Sequence, residues 1–150
     1  MSQLKETIRA DLKTSMKAKE KERTGAIRAL LAAIQAEETT GARHEITDED
    51  VLKVIAREIK KRRESAQMYA DNDRPELAEA ELAEVPYFEA YQPAQLGDAE
   101  LEKLVDDSIA EVGADSMAQM GQVMKIATEK AAGAVDGKRL SDAVKAKLSS

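Results

Sequence analysis

Apolar residues recur at helical intervals almost from end to end of this chain, and no other property of the sequence constrains the fold as tightly. Leu4, Ile8, Leu12 and Met16 step by four, and Ile27, Leu30, Leu31 and Ile34 follow the i, i+3, i+4, i+7 order. Such a stripe is buried by laying one helix on another. With 7 Gly and 3 Pro, the chain has too little punctuation for a many-stranded β protein. The spacing therefore predicts an all-α, multihelical fold.

The breaks in the pattern place the helices. Gly41-Ala42-Arg43-His44 interrupts the first run. Thr47-Asp48-Glu49-Asp50 reads as a helix start, with Thr47 capping and three acids in the first turn, where the helix dipole favours them. Leu52, Ile55, Ile59, Ala66 and Tyr69 mark the buried stripe of a long helix that closes at Asp71-Asn72-Asp73-Arg74-Pro75. Pro75 suits the first turn of the next helix, which carries Leu77, Leu82, Phe88 and Tyr91, while Pro86 should kink or interrupt it. Tyr91-Gln92-Pro93-Ala94-Gln95-Leu96-Gly97 reads as a lobe boundary, giving domains 1–92 and 93–150. Beyond it, Asp98 opens a helix with Leu101, Leu104, Val105, Ile109 and Val112 that ends at Gly113. Asp115 or Ser116 should cap a helix with Met117, Met120, Met124 and Ala127 that ends at Gly133, its methionines serving as core filler. Asp136 caps a last helix with Leu140, Val144 and Leu148.

Charge and composition narrow the function classes. The net charge is −6, and residues 1–90 and 91–150 each carry three more acids than bases. Binding a polyanion is largely phosphate neutralisation, so any nucleic-acid role must rest on a local basic face. With no Cys, the chain has no disulfide, thiolate metal site or Cys nucleophile. The opening residues lack an apolar signal-type run and no stretch approaches the length of a membrane span, so the cytoplasm is the expected compartment and no membrane partner is expected.

No constellation for catalysis is legible. A phosphate loop, a Gly-x-Ser-x-Gly turn and a paired-His metal spacing are all missing, and the single histidine, His44, reads as a surface residue without an orienting partner. No catalytic residue, metal or cofactor is therefore assigned. Three basic features remain. Lys5, Arg9, Lys13 and Lys17 form a ridge of fours. Arg57, Lys60, Lys61, Arg62 and Arg63 crowd the long helix, so some must point outward. Either group could meet a phosphate backbone, or be a solvated face paired with Glu6, Glu58 and Glu64 through neighbouring turns. The third lies near the carboxy terminus. Gly121, set within a helical pattern, offers close approach to another backbone, either a tightly packed helix or a ligand phosphate. Gly137-Lys138-Arg139 opens the last helix, where free N–H groups favour an anion.

Gly121-Gln122-Val123-Met124-Lys125, then Lys130, then Leu140-Ser141-Asp142-Ala143-Val144-Lys145-Ala146-Lys147-Leu148, resemble the tail domain of the B subunit of the glutamine-dependent aspartyl/glutamyl-tRNA amidotransferase. The chain from about Leu4 to Leu148 resembles the stand-alone GatB/YqeY family, including Lys21-Glu22-Arg23 with Ile27-Arg28, and Tyr91-x-Pro93-x-x-Leu96 at the junction. Gln92 and Pro86 depart from the pattern of the family at that junction. The resemblance implies an amino-terminal helical hairpin-like lobe and a small carboxy-terminal helical bundle. It also implies a transfer-RNA contact through the tail, with Gly121, Lys125, Lys130 and Lys138 as RNA-facing candidates. Arg139 joins them by location, and Arg57, Lys60, Lys61, Arg62 and Arg63 form a second basic patch. The expected function is a non-catalytic binding module for tRNA or a tRNA–enzyme complex. The alternatives are a protein–protein adaptor and an accessory to a carbon–nitrogen ligase that uses glutamine as amide donor.

Overall fold

The periodicity resolves into helices throughout. The computed structural model describes residues 2–40 and 45–149, and His44 with the rest of the 41–44 break lies outside them. Among the described residues there are seven α-helices and no strand: α1 (Gln3–Lys17), α2 (Lys21–Thr39), α3 (Asp48–Asp71), α4 (Pro75–Glu89), α5 (Asp98–Val112), α6 (Met120–Ala131) and α7 (Gly137–Leu148). A short 3₁₀ turn, Met117–Gln119, precedes α6. The chain divides into two compact units, Met1–Gln92 and Pro93–Ser150.

The first unit is two helical hairpins, α1–α2 and α3–α4, each closed by a short turn that sends the chain back along itself. Thr47 starts α3 as a full capping box: its hydroxyl accepts from the Asp50 N–H at 3.2 Å, and the Asp50 carboxylate accepts from the Thr47 N–H at 3.1 Å. Pro75 occupies the first turn of α4, where its missing N–H costs nothing. The core gathers Ile8 of α1, Ile27, Leu30 and Ile34 of α2, Val51, Val54, Ile55 and Ile59 of α3, and Val85 and Phe88 of α4. Phe88 is fully buried, with the Arg62 guanidinium 4.3 Å from its ring centroid. The buried Ser15 and Thr24 hydroxyls hydrogen-bond each other at 2.7 Å, tying α1 to α2 without an orphaned polar atom. Tyr91 donates to the Asp11 carboxylate at 2.5 Å, so the end of α4 is held to α1.

Several sequence expectations shift here. Pro86 does not interrupt α4. It removes one bond, to the Leu82 carbonyl, but Leu82 and Pro86 are both exposed, so water can serve that carbonyl. The ladder resumes at once, since the Ala90 N–H donates to the Pro86 carbonyl at 3.1 Å. Leu77 and Leu82 are 40% and 46% exposed, because Ala78, Val85 and Phe88 claim the core side of α4 and leave them on its flanks. Met16 is 48% exposed, and its sulfur lies 3.8 Å from an Arg28 nitrogen.

The second unit is a three-helix bundle in which α5, α6 and α7 all touch one another. Its core is aliphatic: Leu101 and Val105 of α5, Val123 and Ala127 of α6, and Leu140, Val144 and Leu148 of α7, with no aromatic residue anywhere in residues 93–150. Gly113 ends α5 at φ 71°, as glycine does in a left-handed cap. Met120 and Met124 pack against this core, but Met117 is 43% exposed in the 3₁₀ turn. Neither Asp115 nor Ser116 caps that turn through its side chain. The Gln119 side chain instead accepts from the Asp115 N–H at 2.8 Å. The end of α6 falls two residues before Gly133, with the capping Ala132 left-handed at φ 47° and Gly133 following at φ 86°.

Candidate functional site

The carboxy-terminal basic residues are set by α6 and α7. The helix α6 turns Val123, Ala127 and Ala131 inward, which places Gly121 and Lys125, one turn apart, on its outer side. A methyl group built on Gly121 would meet no atom within 4 Å, so this glycine does not receive a helix of its own unit and its surface stands open. The Lys125 side chain is exposed and makes no ion pair or hydrogen bond among the described residues, and the same is true of the Lys138 side chain in the first turn of α7.

The remaining two cations are engaged. Lys130 lies 3.0 Å from the Glu111 carboxylate across the α5–α6 contact, and that bond, with Asp107 beyond it, holds the lysine above its ordinary range. Arg139 donates from one nitrogen to the Leu96 carbonyl at 2.6 Å and from the other to Asp98 at 2.7 Å. It therefore fastens α7 to the segment that leads into α5. The start of α7 is served by the chain itself, since the Asp136 carboxylate accepts from the Arg139 N–H at 2.8 Å. Lys147, which sequence reasoning did not single out, lies 2.9 Å from Glu102 and 3.3 Å from Asp106, and those bonds raise its titration too.

The second basic patch is laced with carboxylates. Arg57 reaches Glu37 at 3.2 Å, Lys60 reaches Glu64 at 4.0 Å, and Arg63 reaches Glu89 at 3.3 Å. Arg62 bridges Glu58 at 3.1 Å and Glu84 at 3.0 Å while covering Phe88. Of the five, Lys61 alone makes no ion pair among the described residues. The amino-terminal ridge divides in the same way: Lys5 pairs with Glu38 at 2.7 Å and Arg9 with Glu6 at 3.9 Å, whereas Lys13 and Lys17 pair with nothing described.

One basic surface was not visible as a group in the sequence. Around the α1–α2 turn, Met16, Lys19, Lys21, Thr24, Gly25 and Arg28 line a shallow cleft of about 480 Å³. Every charged residue lining it is cationic. The sequence signal is the alternation Lys17-x-Lys19-x-Lys21 across the turn, with Arg28 two helical turns beyond Lys21. Elsewhere, among the described residues, no group of three or more His, Asp or Glu is placed to hold a metal ion, and no helix is long and apolar enough to cross a membrane.

The family model described as Yqey-like protein matches residues 5–148. This chain belongs to the YqeY-like family. The match spans both units, so the two hairpins and the aliphatic bundle together make up the YqeY-like fold in this chain. The YqeY-like chain is also similar to the Altered inheritance of mitochondria protein 41, mitochondrial, of Meyerozyma guilliermondii, at 35% identity over 86 residues. That alignment takes in 57% of this chain and 44% of the relative, so the chain matches less than half of the length of that protein.

Proposed function

We propose that this YqeY-like protein is a non-catalytic binding module for transfer RNA, or for a tRNA–enzyme complex, acting through its second unit and, by expectation, in the cytoplasm. The observation that carries this reading is the pair Lys125 and Lys138, both exposed and free of carboxylate partners among the described residues. They lie in the unit whose sequence resembles the tRNA-contacting tail of the amidotransferase B subunit. Lys130 and Arg139 support them from positions partly neutralised by Glu111 and Asp98. The ligand is read through its phosphates, since a unit without aromatic residues offers no platform for stacked bases. Binding of this kind is modest and falls steeply with salt.

The test is a titration of total tRNA at low and moderate salt with the wild type and with Lys125→Glu plus Lys138→Glu. The charge-reversed protein is expected to lose binding at low salt. Retained binding would remove the second unit from the interface. A second reading, a protein–protein adaptor, is favoured by the open surface at Gly121 and the half-exposed Met117 just before α6. Association with a purified protein that survives nuclease treatment and the double charge reversal would favour it.

A further inference from the structure

We infer that the cleft at the α1–α2 turn is a second contact for an RNA phosphodiester backbone, on the first unit and separate from the tail lysines. This rests on the reading that the ligand is RNA, but on different residues. The cleft is lined by Lys19, Lys21 and Arg28 without a carboxylate among the lining groups, in a chain with a net charge of −6. On α3, by contrast, Arg57, Lys60, Arg62 and Arg63 pair with Glu37, Glu64, Glu58, Glu84 and Glu89, and Lys61 is the exception among the five. The arginine of the cleft does not pair with a carboxylate: among the described residues, its only side-chain neighbour in bonding range is the Met16 sulfur at 3.8 Å. Glu20 turns to Arg23 at 3.5 Å, and Glu22 is exposed outside the lining.

Shape and charge order favour a chain of phosphates over a single small anion. Gly25 leaves the α2 wall bare, with no atom within 4 Å of where a side chain would begin, so a backbone can come close. The helix α1, which contributes Met16 to the cleft, also carries Lys17 and Lys13 one turn apart, both exposed and unpaired among the described residues. Residues four apart on a helix are separated by about 6 Å along its axis, a span comparable to that between successive phosphates of one strand. A track of single charges at that interval suits a polymeric phosphodiester. The shallow cleft holds no aromatic side chain, so it would read backbone and not base.

The experiment compares four full-length proteins: wild type, Lys19→Gln/Lys21→Gln/Arg28→Gln, Lys125→Glu/Lys138→Glu, and the combination. Each is titrated with total tRNA over a salt series, after urea midpoints show that the substitutions leave the fold intact. Losing three phosphate contacts is expected to weaken binding at low salt by about tenfold or more and to reduce the slope of log affinity against log salt by about 2. If the cleft variant matches wild type while the tail variant fails, the cleft assignment falls and the tail reading stands. If only the cleft variant fails, the cleft stands and the tail reading falls. Absence of wild-type binding at low salt overturns both. A poly-glutamate chain and inorganic pyrophosphate serve as alternative probes. If either binds wild type as tightly as tRNA does and loses that binding in the cleft variant, the phosphodiester assignment is overturned, in favour of an acidic protein segment or a small phosphate respectively.

Discussion

Removing the Arg139 side chain should destabilise the second unit, and the structure sets the size of the loss. Its guanidinium donates to the Leu96 carbonyl at 2.6 Å and to Asp98 at 2.7 Å. A hydrogen bond from a charged donor is worth about 1.5–3 kcal/mol when well buried. The arginine side chain is 34% exposed, which brings the carbonyl bond to about 1 kcal/mol. Asp98 is fully solvated, so its ion pair adds at most about 0.5 kcal/mol. Together these losses put the total for Arg139→Ala at about 1–1.5 kcal/mol. Urea unfolding followed at NMR resonances of residues 98–148 measures this directly. Arg139→Lys should lose most of the same stability, since an ammonium lacks the two-pronged reach, and Lys138→Ala should lose almost none. If Arg139→Ala stays within about 0.3 kcal/mol of wild type while tRNA affinity drops, the residue is a ligand contact and its structural assignment is wrong.

Three further outcomes follow from the geometry. Burial, and then the Asp11 carboxylate, push the Tyr91 hydroxyl well above the ordinary phenol range, so its contribution is present below about pH 10 and is lost as pH rises beyond that. Tyr91→Phe should cost about 1 kcal/mol at neutral pH and flatten the alkaline fall in thermal stability, and an unchanged alkaline arm would contradict this. The Asp48 carboxylate accepts from the Ser2 hydroxyl at 2.5 Å and the Leu4 N–H at 3.0 Å, which holds it below its ordinary value of 3.8. Its stabilisation is present above that value and is lost as pH falls, so Asp48→Asn should flatten the acid arm of stability, and an NMR midpoint at or above 3.8 would count against the geometry. Gly121→Ala should be neutral or stabilising by up to about 1 kcal/mol, because the site is open and alanine favours the helix; a clear loss of stability would mean that the glycine is needed by its own fold.

Local chemistry was legible in the sequence, and pairing between distant segments was not. Thr47 with Asp50, Pro75 in a first turn, Gly113 as a left-handed cap and Asp136 at the start of α7 are signals within four residues, and all appear in the structure. Which residues of an apolar-rich helix face inward depends on the neighbouring helix. Leu77, Leu82 and Met117 therefore emerged as exposed, and Val123, left out of the stripe read on α6, is fully buried. The candidate site suffered in the same way. The partners of Lys130 and Arg139 are Glu111, Leu96 and Asp98, and those of Arg63 and Arg57 are Glu89 and Glu37, all on other elements. Pairings through neighbouring turns, Arg62 with Glu58 and Lys60 with Glu64, were foreseeable because they sit four residues apart. The cleft at the α1–α2 turn sets Lys19 of the turn beside Lys21 and Arg28 of α2, with Met16 of α1 opposite, a grouping that no single-helix pattern displays.

The stitching of residues 95–98 to the far end of the bundle has a kinetic meaning. Leu96 donates to the Ala134 carbonyl at 2.8 Å and Gln95 to the Gly133 carbonyl at 3.2 Å, and with Arg139 these links join positions 38 to 43 residues apart. Bonds across so long an intervening chain form once the helices between them have docked. They act as a latch fastened late: cutting one should hasten opening of the bundle and leave its rate of assembly almost untouched.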